Sequence, residues 1–196
     1  MKNNYNEQSN ISVDGHVLIK DMDTNEILLD KHNAINFQNF AFAVANCLAN
    51  KTESSNNFYI TKMAFGYGGT TIDGNGNVTY KSPKVDGSTA ALYNSLLDSS
   101  SNPYTKQVTS IDVLDAEGAS YTDITVKVIL DYNDPALAPA LDNAQNFDTP
   151  TDWVIDELAL VTETGYNLTH LVFHPIQKSK NRKIEILYSL RIRAGV

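Results

Sequence analysis

The chain has 196 residues, 42% hydrophobic and 19% charged, with 15 Lys+Arg against 23 Asp+Glu and one cysteine. That apolar share supports one sizeable core, while a lone cysteine excludes a disulfide framework and a multi-thiolate metal site. The net charge of −8 argues against a broad nucleic-acid-binding face, and no apolar run approaches the ~20 residues of a membrane span.

The opening Met1 to Asn10 is polar and lacks the apolar core of a secretory signal. Residues 1–11 carry no apolar pattern and are expected to form a flexible arm, with 12–196 a single β-rich domain. From Ser12, Val13, Gly15, Val17 and Ile19 alternate with polar or outward positions. Asp21 to Asn25 then turns the chain, and Glu26 to Asp30 runs back, which predicts a β-hairpin.

A helix follows, near residues 34–50. Asn33 or Asn36 can cap it, and Phe37, Phe40, Ala41, Val44 and Leu48 recur at helical spacing. That stripe predicts a helix lying across a sheet with its phenylalanines buried, and Cys47 beside it reads as a buried structural thiol. Phe58 to Phe65 is apolar on both phases, as a central strand covered on both faces would be, and stops at Gly66-Tyr67-Gly68-Gly69.

Residues 66–104 are rich in glycine, serine and asparagine, broken by Val78-Thr79-Tyr80 and by Ala90 to Leu97, which suits one short helix. A loop this long inside a domain is usually functional or ordered by other chains. Strands are then expected at Val108 to Leu114, Tyr121 to Tyr132, Trp153 to Val161, Leu168 to Phe173 and Lys183 to Arg193, with a proline-containing loop after Tyr132. About seven strands and one packed helix predict a mainly β fold, an antiparallel β-sandwich.

No catalytic constellation stands out, and the chain reads as a non-enzyme with no cofactor and no metal. Asp21-Met22-Asp23-Thr24-Asn25 spaces oxygens as a calcium loop does but lacks its glycine and its closing acid, so it reads as a turn. Asp73 to Asn77 reads likewise. His170 and His174 lie on an expected strand, where such a pair stands about 13 Å apart and cannot share one zinc. Asp156 and Glu157 occupy adjacent strand positions on opposite faces, which is no acid/base couple. Gly66 to Gly69 lacks the Gly-Lys-Ser/Thr ending of a phosphate loop.

Charge is segregated along the chain. From Asp112 to Glu163 twelve acids accompany one base, and from Lys178 to Arg193 six bases accompany one acid. Such clusters are either solvated or the complementary faces of neighbouring molecules. On the second reading Lys178, Lys180, Arg182, Lys183, Arg191 and Arg193 are interaction residues. Tyr67, Tyr80, Tyr93 and Tyr104 join them as aromatic groups of the long loop, and together with Tyr59 they also suit stacking on a glycan in a carbohydrate-binding module.

Ile60-Thr61-Lys62-Met63-Ala64-Phe65-Gly66-Tyr67-Gly68-Gly69-Thr70 resembles the "I-T-x-M-A-x-G-x-G" strand of tail-associated proteins of tailed bacteriophages. Trp153 to Leu160 resembles a later strand of phage fibre-type proteins, and Gly15 to Ile35 is similar to virion structural proteins of contractile-tail phages. The likeness covers about residues 12–70 and 150–193. It implies assembly in the host cytoplasm into a virion, other virion proteins as partners and a symmetric or homo-oligomeric arrangement, while charge and hydropathy already argue against nucleic acid and membrane as targets. It leaves open a tail or baseplate adaptor, or a capsid decoration or neck protein.

Overall fold

The computed structural model describes residues 10–50, 57–87, 91–98, 100–115, 117–134 and 153–195. The chain is mainly β. Its strands are β1 (Asn10–Asp21), β2 (Ile27–Ile35), β3 (Ile60–Gly66), β4 (Thr70–Ile72), β5 (Val78–Tyr80), β6 (Thr105–Gln107), β7 (Ser110–Asp115), β8 (Tyr121–Leu130), β9 (Trp153–Thr162), β10 (Thr169–Lys178) and β11 (Ile184–Gly195), with one helix, α1 (Phe37–Leu48). Residues 1–9 of the expected arm lie outside the described residues, as does the proline loop from 135 to 152. Asn10 and Ile11, assigned to the arm from sequence, already pair with Gly195 and Ala194.

Nine strands form one antiparallel sheet in the order β6-β3-β9-β10-β2-β1-β11-β8-β7, and β4 and β5 form a small hairpin of their own. The long sheet curls until its two ends meet. The segment 105–115 pairs with β3 through β6 and with β8 through β7. At the crossing, the Val108 N–H donates to Thr61 O at 2.9 Å and the Thr109 N–H to Lys127 O at 2.7 Å. One extended segment thus joins both edges, which local pattern cannot reveal because the partners are far apart in sequence.

Alternation decides which residues the curl encloses. Val17 and Ile19 of β1, Val126, Val128 and Leu130 of β8, and Ile184, Ile186, Tyr188 and Leu190 of β11 face inward to meet Phe65, Leu158, Leu160, Leu171 and Phe173. Truncating one of these large side chains to alanine costs about 3–5 kcal/mol. β9 is buried on both faces from Val154 to Thr162. Its outer residues Ala159 and Val161 are covered together with Ala64 by Leu92 of the long loop.

The turn after β1 forms as its composition predicts. Asp21 Oδ1 accepts the N–H groups of Asp23 (2.8 Å) and Thr24 (3.0 Å), and Asn25 takes the left-handed conformation at φ 62°. The helix begins at the second of its two candidate caps, Asn36, whose side chain accepts the Asn39 N–H at 3.1 Å. Its burial departs from expectation. Asn39 and Ala43 are buried and Phe40 is half-buried against the core, while Phe37, Ala41, Val44 and Leu48 are exposed, as is Cys47. The buried stripe is Asn39-Ala43 because Asn39 Nδ2 donates to Asn167 O (2.8 Å), which ties that edge of α1 to the turn before β10. The short helix expected at Ala90 to Leu97 does not form over 91–97. Gly66 bridges Ser95 and Leu97 bridges Pro103 instead, so the segment is held to the sheet edge by backbone pairing.

Candidate interaction surfaces

The long loop is anchored from beneath by β9. Glu157 is fully buried, and its Oε1 accepts the N–H groups of Gly68 (3.0 Å) and Asn94 (2.9 Å). Its Oε2 accepts the Tyr93 N–H (2.9 Å) and lies 3.0 Å from His170 Nε2. The Lys84 N–H donates to His170 Nδ1 at 2.8 Å, so in the neutral ring the proton sits on Nε2 and points at Glu157. Burial pushes the Glu157 carboxyl up, but the His170 ring and the three N–H donors outweigh it and hold it below the usual range.

Asp156 works on the same loop. Its Oδ1 accepts the Gly69 N–H (2.9 Å), and its Oδ2 accepts both the N–H (2.8 Å) and the hydroxyl of Thr70. Burial dominates here and raises its carboxyl despite those donors, with the neighbouring Glu157 adding to the effect. The glycines are set by this close approach. A Cβ on Gly66 would stand 2.5 Å from Asn94 O and 2.6 Å from Glu157 Oε1, and one on Gly69 would stand 2.9 Å from a Val172 methyl. The two carboxylates hold adjoining stretches of the same loop, Glu157 the N–H groups of Gly68, Tyr93 and Asn94 and Asp156 those of Gly69 and Thr70. They serve as backbone anchors.

The tyrosines divide. Tyr104 is buried against Phe65, with ring centroids 5.8 Å apart, and burial with the nearby Asp134 carboxylate raises its phenol. Tyr67 is half-buried against the core. Tyr93 has Lys81 and Lys84 ammonium groups each 4.5 Å from its ring centroid, and its hydroxyl donates to Ser82 O (2.8 Å). Tyr80 is exposed, with its hydroxyl 3.2 Å from His174 Nδ1, and Tyr59 is exposed as well. Of the five rings considered for stacking on a sugar, Tyr59 and Tyr80 are the exposed ones.

The basic cluster divides as well, and most of it is spent within the chain. β11 lies between β1 and β8, so its cations meet acids on both sides. Arg191 makes two 2.7 Å bonds to the Asp123 carboxylate and stacks 4.0 Å over Tyr121. Arg193 meets Asp14 at 2.6 Å, Arg182 meets Asp21 at 2.6 Å, and Lys183 meets Asp131 at 3.5 Å. Lys178 is fully buried, with its ammonium donating to Asp131 O (2.8 Å) and Ser179 O (2.9 Å), and burial lowers it to about 8. It is therefore no surface residue. Lys180 is exposed. The two charge blocks of the sequence meet in part, Arg191 and Lys183 against Asp123 and Asp131, because antiparallel pairing puts β8 beside β11, while Arg193 and Arg182 find Asp14 and Asp21 of β1.

His16 has an acidic partner across the first hairpin. Its Nε2 lies 2.6 Å from Asp30 Oδ1, and its ring packs edge-on against His32 at 5.3 Å. The cross-strand register of β1 and β2 makes both contacts.

Two exposed surfaces escaped the sequence reading. The first is the outer face of α1, where Phe37 is 65% and Leu48 83% exposed. The second is β7, exposed along its whole length. Helical spacing marked the α1 residues as apolar but gave no sign of their direction, and β7 read as an ordinary strand.

Comparison with known protein families, with curated proteins and with solved structures finds no match.

Proposed function

We propose that the chain is a non-enzymatic structural subunit of a tailed-phage virion, a tail- or baseplate-associated adaptor that docks neighbouring tail or fibre proteins. The observation that carries this reading is the outer face of α1. Phe37, Ala41, Val44 and Leu48 line it at helical spacing and face outward, and such a face suits contact with another chain. No residue of α1 is charged, so nothing in it repels a second copy, and the occupant we assign is the same helix of a neighbouring copy. The segments that resemble phage strands, 60–70 and 153–160, lie side by side as β3 and β9, with Gly66 opposite Glu157. They act as one unit that positions the long loop.

Mass spectrometry of purified particles tests the placement: the subunit is expected in intact virions, and its absence overturns the reading. Cryo-EM of the same particles distinguishes a tail or baseplate position from a decoration or neck position. Native mass spectrometry tests the occupant of α1. An oligomer that Val44→Lys dissolves supports it, and a monomer at every concentration overturns it. A carbohydrate-binding module is less well supported, since three of its five candidate rings are covered or half-covered and only Tyr59 and Tyr80 are exposed.

A further inference from the structure

The sheet ends at β7, whose outer edge no strand covers among the described residues. Every second residue of an edge strand turns its N–H and C=O outward, which is a template for another strand. Ile111 and Val113 stand opposite Val126 and Ile124 on the core-facing side of β8. They extend the core's apolar row past its covered part, and Val113 is 65% exposed. Leu114, 58% exposed, adds an apolar group on the other face.

Charge at this edge is unlike the rest of the sheet. Elsewhere the sheet acids are answered within the chain: Asp14 by Arg193, Asp21 by Arg182, Asp123 by Arg191, and Glu185 by Lys127. Among the described residues, the side-chain carboxylates of Asp112 and Asp115 on β7 and of Glu117 in the turn after it make no hydrogen bond or ion pair. The edge therefore offers open backbone, apolar side chains and uncompensated negative charge together.

We infer that β7 receives an extended segment of another protein, added as a further strand, that carries lysine or arginine between apolar residues. Its backbone continues the ladder, its apolar side chains cover Ile111 and Val113, and its cations answer Asp112, Asp115 and Glu117. A second copy of β7 is the wrong occupant, because it would bring two more aspartates against these. The inference stands apart from the virion reading and concerns a different element from α1.

The test uses the full chain and a short synthetic peptide alternating lysine and valine, with amide hydrogen exchange as the readout. Two controls accompany it: the glutamate–valine peptide, and the lysine–valine peptide N-methylated at alternate backbone nitrogens. The lysine peptide is expected to slow exchange at 110–115, with weaker protection at high salt. The glutamate peptide should bind about tenfold or more weakly, and the N-methylated peptide should give no protection. Val113→Lys, at an exposed position, should remove the protection without changing thermal unfolding. Equal protection by both charge types, protection confined to other residues, or none at all overturns the inference. Protection of 110–115 that rises with protein concentration alone also overturns it, because the occupant would then be a second copy.

Discussion

His170 Nε2 lies 3.0 Å from Glu157 Oε2 in the protein interior, and the Lys84 N–H at 2.8 Å from Nδ1 fixes which ring nitrogen carries the proton. A histidine and a carboxylate at this distance suggest catalysis when met in an open cleft. Here both oxygens of the carboxylate also accept backbone N–H groups of the long loop, and the pair acts as a buried anchor.

Removing that anchor should loosen the loop and cost stability. Glu157→Ala leaves the N–H groups of Gly68, Tyr93 and Asn94 without an acceptor. A loss of about 3–5 kcal/mol in chemical denaturation is expected, with faster amide exchange from 67 to 97. Glu157→Gln keeps one acceptor oxygen and should cost less. An unchanged exchange pattern in the alanine variant would refute the anchoring role.

Acid should destabilise the protein through Asp21. Burial raises this carboxyl, but the Thr24 N–H, Arg182 and the Asp23 N–H outweigh it and hold it at about 2, against 3.8 when unperturbed. A depressed folded value means that the unfolded chain binds the proton first. The stabilisation is therefore complete above about 4 and lost as pH falls toward 2. Urea midpoints measured across that range should fall less steeply in Asp21→Asn than in the parent.

Lys178 gives the opposite flank. Burial lowers its ammonium to about 8, partly offset by the Asp134 and Asp131 carboxylates, against 10.5 in the unfolded chain. Between these values the unfolded state holds more protons, so stability should rise as pH climbs above about 8. Lys178→Met should abolish that rise. A parent protein whose midpoint stays flat over this range would argue that the ammonium reaches water.

The paired surface charges should matter little individually. Arg191 and Asp123 are part-exposed, and a double-mutant cycle with alanine should return a coupling of about 0.5–1 kcal/mol. Exchanging the two charges, Asp123→Arg with Arg191→Asp, should restore most of what either reversal loses. A failure of rescue would mean that packing over Tyr121 outweighs the charge pair.

Cys47 is exposed and should be alkylated rapidly in the folded protein. Because it adjoins the outer face of α1, alkylation should slow as protein concentration rises if copies meet there. A thiol that reacts only after denaturation would contradict its placement.

What the sequence determined by itself is local. The turn at Asp21 to Asn25, a helix cap at Asn33 or Asn36, and the start and end of most strands were legible, since each depends on capping or on the period-2 alternation of one short segment. The Glu157 anchor was not, because its partners lie at 68, 93, 94 and 170 and meet only through the fold. The apolar residues of α1 were legible but their direction was not. A helix stripe has no absolute orientation until Asn39 ties one edge to Asn167.

Net charge shows the same division. Composition established an acidic chain whose acids and bases lie in separate blocks. Only the tertiary structure decided that β11 runs between β1 and β8, where antiparallel register brings Arg191 against Asp123 and Arg193 near Asp14. Charge pairs fall off within a few ångströms, so their partners follow from strand order, which no single segment encodes. Among the described strands, the carboxylates left without a partner, those of Asp112 and Asp115, lie on the β7 edge.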